Sequence, residues 1–247
     1  MTELTTSSNQ GAHGMLRNIG DAQRDLGLGD PQVAATLQRL HSRARRDGWV
    51  LLRALPALLV AIASGRDTSK SVEPYLKDAY IPVDADQGRL LYATARAIRA
   101  RLILEFGTSF AVSTIYLGAA ARANNGRVIG TEMEPAKVKA ARANVAEAGL
   151  ASVVEIREGD AMQTLSSLDA PIDFLLLDGW KDLYLPMLKM LSPKMHPGTV
   201  VMADNIFTFK KALRPYVEYM QNRANGFDSV SLPIGSGHGM EYSVRRD

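Results

Sequence analysis

The sequence predicts an α/β protein with a doubly wound, mostly parallel sheet and a helical extension at the N-terminus. From Arg101 onward, short apolar runs of strand type alternate with segments of helical periodicity. That alternation is typical of parallel strands joined by right-handed crossovers. About the first 88 residues show helical patterns and no strand signal. Two of the apolar runs end in aspartate, which puts acidic side chains at one edge of the predicted sheet.

The composition is that of a soluble globular chain. Of the 247 residues, 46% are hydrophobic and 22% are charged, and the net charge is +3. Acids and bases are interspersed, so neither a nucleic-acid surface nor a membrane partner is predicted. Zero cysteines exclude disulfides and thiolate metal sites and fit a reducing compartment. No signal peptide is visible at the N-terminus, and we therefore expect a cytoplasmic protein.

Residues 1–85 are predicted to form a polar tail and a helical segment that acts as a lid or an oligomer surface. A helix should start at Pro31 after the cap Asp30. The most apolar run, 49–63, contains Arg53 and Pro56 and is shorter than the roughly 18 residues of a membrane span. We expect it to be a buried or partner-facing helix, and a homodimer is the predicted assembly.

Residues 86–247 are predicted to form the main domain. A closing hairpin is expected at the end, joined by the glycine-rich stretch 235–239. The predicted strands are 102–106, 127–131, 153–156, 172–177, 199–203, 229–232 and 240–244. The predicted helices are 86–100, 113–123, 135–148, 161–168, 183–191 and 210–225.

The strongest functional signal lies where two predicted strands end. Asp178 follows Phe174-Leu175-Leu176-Leu177, and Asp204-Asn205 follow the run 200–203. Parallel strands deliver their carboxyl ends to one edge, so three oxygen ligands should meet there. Such ligands suit a hard cation such as Mg²⁺, and Lys181 can reach the same place. The alternative is that each aspartate only caps the helix that follows it.

A second signal lies at the ends of the first three strands. Gly107 opens the turn that leads into a helix, and the free N–H groups of that helix could bind a carboxylate or phosphate. Glu132 ends the second strand, where an acid suits a ribose, and Asp160 ends the third. The full G-x-G-x-x-G pattern is missing, which favours a nucleoside cofactor without phosphates over NAD. Each residue has a structural alternative as a turn former, a solvated strand end or a helix cap.

These residues together resemble a known family. The order E-x-G-T-S-x-x-x-S, T-E-M-E-P, E-G-D-A, L-D-G-W-K-D-x-Y and A-D-N is similar to that of the class I S-adenosylmethionine-dependent O-methyltransferases. The similarity is strongest to the cation-dependent branch that includes catechol and caffeoyl-coenzyme A O-methyltransferases. It runs from about Asp86 to the C-terminus. It implies a Rossmann-like, seven-stranded sheet with a reversed last strand.

The resemblance also implies roles for individual residues. It makes Lys181 the general base, and Asp178, Asp204 and Asn205 the ligands of a divalent cation, with Mg²⁺ expected. Two departures from the family pattern are Gly179, which replaces a histidine that faces the adenine, and Ala111, which replaces a common glycine. Glu218, His238 and Trp180 are further candidates near the acceptor. The alternatives are that Glu218 is an exposed helix charge, that His238 is an ordinary loop residue and that the indole of Trp180 packs in the core. The residues expected around S-adenosylmethionine are Glu105, Gly107, Ser109, Ser113, Glu132, Asp160, Ala161 and Asp178.

The predicted function is methyl transfer from S-adenosylmethionine to a hydroxyl of a small, catechol-like acceptor. Two neighbouring hydroxyls would chelate the cation and hold one oxygen in line with the methyl group. One alternative is a methyltransferase that acts on RNA or on a protein. Another is a non-catalytic nucleoside-binding dimer. A nicotinamide oxidoreductase is disfavoured by the missing glycines.

Overall fold

The computed structural model describes residues 28–46, 60, 82–235 and 237–247. Its strands are β1 (Leu102–Phe106), β2 (Arg127–Glu132), β3 (Val154–Glu158), β4 (Ile172–Leu177), β5 (Met195–Asp204), β6 (Phe227–Leu232) and β7 (Met240–Arg245). Its α-helices are α1 (Pro31–Arg46), α2 (Ala85–Ala97), α3 (Val112–Ala123), α4 (Pro135–Glu147), α5 (Ala161–Thr164), α6 (Tyr184–Leu191) and α7 (Lys210–Gln221). Short 3₁₀ turns occupy Lys181–Leu183, Ser192–Lys194 and Arg223–Asn225.

The strands form one seven-stranded sheet in the order β3-β2-β1-β4-β5-β7-β6. β1 to β5 pair in parallel, and β7 runs antiparallel to both β5 and β6. All five residues of β1 are buried, as expected for a strand covered on both faces. The predicted fold class, with its closing hairpin and reversed last strand, is therefore confirmed.

Helices cover the sheet on both faces. On one face, Tyr184 of α6 and Leu213 of α7 pack with Leu177 in a large apolar cluster. On the other face, apolar side chains of α1, α3 and α4 form a second cluster, and a third joins α2 to α3 and the sheet. The main domain thus has the layered architecture that the alternating sequence pattern predicts.

Several element boundaries differ from those predicted. α5 ends at Thr164, although the apolar pattern predicts a helix to residue 168. Leu165 and Leu168 are buried all the same, because the turns after the helix carry them into the core. β5 begins at Met195, four residues before the predicted start, and its first residues are exposed. Met195 pairs with Ile172 and so extends this strand. The sequence does not predict the extension, because these first residues do not form an apolar run.

The described part of the N-terminal region packs against the main domain. In α1, the fully buried residues Val33, Leu37 and Leu40 follow the predicted spacing, and the Asp30 carboxylate accepts the N–H groups of Gln32 and Val33. Of the apolar run 49–63, only Val60 is described, so the predicted partner-facing helix lies outside the described residues. Among the residues that the structure describes, no helix is long and apolar enough to cross a membrane.

The loops after β1 and β4 touch each other. The N–H of Asp178 donates to the carbonyl of Phe106 at 2.8 Å. Gly107 has φ +96°, and a Cβ there would lie 2.6 Å from the nitrogen of Gly179. A Cβ at Gly179 would in turn lie 2.6 Å from the Phe106 ring, so the ring occupies the space that a side chain would take. The two glycines hold the β1 and β4 loops in backbone contact.

Replacing Gly107 by alanine should destabilise the protein by roughly 2–4 kcal/mol, because positive φ and backbone overlap add together. The matched control is Gly198→Ala: Gly198 also has positive φ (+89°), but no heavy atom lies within 4 Å of its Cβ position. That variant should lose only about 1 kcal/mol. Chemical denaturation of both variants measures the difference. Equal losses would mean that the loop contact is not tight.

A polar pair lies where β4 and β5 begin, at the edge opposite to Asp178. His196 Nε2 is 2.9 Å from Asp173 Oδ1, and His196 Nδ1 is 2.8 Å from the carbonyl oxygen of Pro197. The Pro197 carbonyl and then Asp173 raise the pKa of His196, since both favour the protonated ring.

This pair predicts a pH-dependent stability. The folded-state pKa of His196 lies above its unfolded value of about 6.5. The contribution of the protonated ring to folding stability is therefore fully present below about pH 6.5. It disappears as the pH rises through the folded pKa. His196→Ala should therefore destabilise more at pH 5.5 than at pH 8.5, by less than about 1 kcal/mol because the side chain is 44% exposed. Denaturant unfolding at both pH values is the measurement. Lys194→Gln is the control, and the destabilisation that it causes should be the same at both pH values. If Lys194→Gln also destabilised the protein more at pH 5.5, by the same amount, His196 would be excluded as the cause.

Candidate active site

The two predicted acidic residues meet at the carboxyl edge of β4 and β5. These strands are parallel neighbours, with Leu177 paired to Ala203, so Asp178 and Asp204 follow at the same level of the sheet. The side chain of Asp178 is 18% exposed, and Asp204 is 4% exposed. The sequence argument that both carboxylates share one edge therefore agrees with the structure.

Amide groups hold the carboxylate of Asp204 on both sides. Its Oδ1 accepts from Gln87 Nε2 at 2.6 Å, and its Oδ2 accepts from Asn205 Nδ2 at 3.0 Å. Asn205 has φ +67°, a left-handed conformation that asparagine tolerates better than most residues. This turn at the end of β5 keeps the Asn205 side chain beside Asp204.

Lys181 places a positively charged side chain at this edge of the sheet. Its Nζ lies 3.6 Å from Asp178 Oδ1 and donates to the Tyr184 hydroxyl at 2.7 Å. The hydroxyl of Tyr184, which is fully buried, donates in turn to the carbonyl of Asp204 at 3.3 Å. The ammonium also lies 5.0 Å from the centre of the Tyr184 ring and 5.6 Å from that of Phe209. The lysine, 12% exposed, is thus held between aromatic rings and the acidic pair.

Burial shifts the ionisation of all three groups. It raises the pKa of Asp178 well above its usual range, the charge of Asp204 raises it further, and Lys181 lowers it. Burial likewise raises the pKa of Asp204, against the opposing charge of Lys181. The pKa of Lys181 is lowered by burial, although both aspartates act to raise it. Two carboxylates with a single cation between them favour the binding of further positive charge.

The donor set fits a hard divalent ion. Two carboxylates and an amide oxygen at one sheet edge are the ligands that Mg²⁺ prefers, since it takes few protein ligands and keeps waters. Among the described residues, no group of three or more His, Cys, Asp or Glu side chains could hold a metal. The predicted ligand set differs from such a group, because it combines only two acidic side chains with the amide oxygen of Asn205.

The loop after β1 forms a cleft next to this edge. Gly107, Ser109 and Ala111 all have positive φ, so the chain turns tightly three times before α3 begins. Ala111 is buried and has φ +66°, a backbone conformation that glycine adopts with less strain than alanine. The cleft is lined by Pro82, Val83, Gly107, Thr108, Ser109, Phe110, Val112, Ser113 and Asp178.

Glu132 and Glu105 support this loop in different ways. Glu132 Oε2 accepts the N–H of Ser109 at 2.9 Å, and its Oε1 accepts the N–H groups of Met133 and Glu134. It therefore ties the tip of β2 to the glycine loop. Glu105 is fully buried, and its Oε2 accepts from the hydroxyls of Thr108 and Thr114.

Glu105 also carries an unused acceptor. Its Oε1 is buried and has no hydrogen-bond partner. Burial raises the pKa of this carboxyl, although nearby hydroxyls act to lower it. Glu105 therefore supports the loop from beneath.

The other predicted residues occupy varied positions. Asp160 caps α5 by accepting the N–H of Met162 at 2.8 Å, with Ala161 buried beside it. Trp180 is 40% exposed, which excludes the alternative of an indole packed in the core. Glu218 is exposed and faces Arg214 of its own helix at 3.6 Å, as expected for a surface charge. His238 hydrogen-bonds to Thr208 at 2.9 Å, in the loop that follows β5.

Sequence reasoning missed two residues of this site. Gln87 looks like part of a helix cap, because Asp84 and Gln87 have capping-box spacing, and nothing in the sequence links it to Asp204. Tyr184 lies three residues after Lys181 within the recognised motif, and one helical turn brings such residues together. That spacing was the available signal for Tyr184, whereas Gln87 could be found only from the tertiary structure.

Comparison with known proteins agrees with this geometry. Residues 104–206 match a family described as a methyltransferase domain. Catechol O-methyltransferase from Niastella koreensis is 36% identical over 137 residues, which cover 54% of this chain and 62% of that protein. The alignment therefore spans less than two thirds of the relative.

Solved structures share the fold over most of the chain. Cofactor-bound Rv0187 from MTB is 28% identical, with a TM-score of 0.65 over 78% of this chain and 96% of the other. The O-methyltransferase TomG from Streptomyces achromogenes, in complex with SAM, is 26% identical, with a TM-score of 0.63 over 78% of this chain and 89% of the other. By sequence and fold, the chain is thus similar to S-adenosylmethionine-dependent O-methyltransferases, and its relatives include proteins named catechol O-methyltransferase and caffeoyl-CoA O-methyltransferase.

Proposed function

We propose that the protein transfers a methyl group from S-adenosylmethionine to a hydroxyl of a small aromatic acceptor with two neighbouring hydroxyls. The observation that carries this proposal is the convergence of Asp178, Asp204 and Asn205 with Lys181 at one sheet edge, beside the cleft formed by the β1 loop. Similarity to O-methyltransferases supports the reaction type, and the oxygen-rich edge supports the preference for a chelating acceptor.

The cleft suits a nucleoside-containing methyl donor. It lies where the chain order reverses between β1 and β4, the usual ligand position in a doubly wound sheet. Glu132 is available to accept hydrogen bonds from ribose hydroxyls, since each carboxylate oxygen has a second lone pair. The start of α3, with Ser113 in its first turn, offers N–H groups to a carboxylate. Asp160 and Ala161, which follow β3, are the residues that we expect near the adenine.

Lys181 is the proposed general base. S-adenosylmethionine supplies an activated methyl group, so the protein must deprotonate the acceptor hydroxyl and align it. The neutral amine of Lys181 takes that proton, and burial favours the neutral amine by lowering its pKa. The acceptor oxygen forms its bond to the methyl carbon as the carbon–sulfur bond breaks, and S-adenosylhomocysteine leaves. The hydrogen bond to Tyr184 keeps the lysine at the edge during this step.

Asp178, Asp204 and Asn205 are the proposed ligands of a divalent ion, with Mg²⁺ expected. When bound, such an ion would supply positive charge that stabilises a deprotonated hydroxyl. The residues themselves fix the donor positions: Asp204 is restrained by two amides, and Asp178 lies at the base of the β1–β4 contact. A rigid set of oxygen donors would hold a chelating acceptor in one orientation.

Aromatic side chains are suited to the acceptor ring. Trp180 and Phe207 are 40% and 43% exposed, and both follow the strand ends that carry the acids. Phe209 lies next to the Lys181 ammonium. Offset or edge-to-face packing of such rings against a phenol contributes to binding without specifying one acceptor.

The base assignment predicts a large loss of activity in Lys181→Ala. Transfer of labelled methyl to a panel of catechols should fall roughly 100- to 10,000-fold, the range for removal of a general base. Lys181→Arg is the matched control: it keeps the charge but cannot accept a proton, so it should be equally impaired. Near-normal transfer in either variant would assign the base to another residue.

The metal assignment predicts that Mg²⁺ stabilises the protein. At 100 times its dissociation constant, the ion should add about 2.7 kcal/mol, which for a chain of this size is a shift in Tm of roughly 5–10 °C. Asp204→Ala should abolish the shift, whereas Asp182→Asn, at a nearby exposed acid, should keep it. Thermal unfolding with Mg²⁺ and with EDTA is the measurement. An unchanged shift in Asp204→Ala would locate the ion elsewhere.

A further inference from the structure

We propose that Gln87 is a positioning residue: its side-chain amide fixes the carboxylate of Asp204 and makes the ion-binding edge depend on the docked start of α2. This inference rests on the proposed function, because it assigns Asp204 to a divalent ion. It adds a residue outside the recognised motifs, from the part of the chain that precedes the sheet.

Three contacts define the position of Gln87, which is 1% exposed. Its Nε2 donates to Asp204 Oδ1 at 2.6 Å, and its Oε1 accepts the backbone N–H of Asp84 at 3.0 Å. Its Cδ lies 2.7 Å from the point where a Cβ on Gly235 would stand. One buried side chain thus joins the start of α2, the tip of β5 and the loop between β6 and β7.

A side-chain amide satisfies both hydrogen bonds at this position. The N–H of Asp84 needs an acceptor, and the carboxylate of Asp204 needs a donor. Glutamine offers both at the end of one flexible chain. The side chain of Asp84 accepts the backbone N–H of Gln87, so the helix start and the glutamine fix each other. Because the group is buried, losing either partner would leave a polar atom without compensation.

The contact leaves Asp204 with little freedom to rotate. Gln87 holds one carboxylate oxygen and Asn205 holds the other, and both donors come from short, packed segments. Groups that orient a metal ligand from behind typically contribute 10- to 100-fold to affinity. We therefore expect ion binding at Asp204 to weaken when α2 no longer presents this amide, even though Gln87 need not touch the ion.

The test is Mn²⁺ binding to the full-length protein, followed by electron paramagnetic resonance without methyl donor or acceptor. Gln87→Met keeps the length of the side chain and removes the amide, and it should weaken Mn²⁺ binding at least about 10-fold. The affinity for S-adenosylmethionine should stay within about twofold, because Gln87 does not line the cofactor cleft. Asp86→Asn changes an exposed acid of the same helical turn, whose carboxylate pairs with Arg89, and it should leave Mn²⁺ affinity nearly unchanged.

A second pair of variants tests the same contact without replacing Gln87. Gly235 and Gly237 lie in one loop and both have positive φ, but only a Cβ at Gly235 would collide with Gln87. Gly235→Ala should therefore weaken Mn²⁺ binding several-fold, and Gly237→Ala should not. This comparison holds even if Gln87→Met folds poorly.

The outcomes separate the two proposals. Normal Mn²⁺ affinity in a folded Gln87→Met protein, or an equal loss in Asp86→Asn, would overturn the role of Gln87 and leave the proposed function intact. A wild-type protein that binds no Mn²⁺ and transfers methyl in the presence of EDTA would overturn both this inference and the metal assignment. Loss of Mn²⁺ affinity in Gln87→Met and Gly235→Ala, with both controls normal, is the expected result.

Discussion

The constraint on which the site depends is the burial of two like charges at one sheet edge. Asp178 and Asp204 end neighbouring parallel strands, and each raises the cost of ionising the other in a place with little solvent. Lys181 supplies a single positive charge between them. An edge built in this way favours an additional cation and a lysine that gives up its proton readily. Two buried carboxylates with one lysine reduce the stability of a protein that binds no further cation, but they suit the proposed methyl transfer.

The cofactor cleft and the acidic edge form one unit because the β1 and β4 loops are in backbone contact. Gly107 permits that contact, and Phe106 fills the space beside Gly179. A side chain at position 179 would not fit without movement of this ring, so the ring and the two glycines together maintain the contact between the loops.

The chain that precedes β1 contributes more to the candidate site than a covering layer. Pro82 and Val83 line the cleft, and Gln87 reaches Asp204 from the first turn of α2. The predicted domain boundary at residue 85 falls at the first residue of this helix. Residues on both sides of the predicted boundary thus reach the candidate site: Pro82 and Val83 at the cleft, and Gln87 at the acidic edge.

The sequence by itself determined the fold class, most strands and the placement of both aspartates, because apolar runs and their terminal acids are local patterns. It also identified Lys181, whose spacing from Asp178 is fixed by one turn of chain. Only the tertiary structure decided that Gln87 holds Asp204, 117 residues away in the chain, and that Glu105 supports the loop from beneath. The early end of α5 was likewise beyond the apolar pattern. Such contacts depend on how separate elements pack, and no local periodicity encodes them.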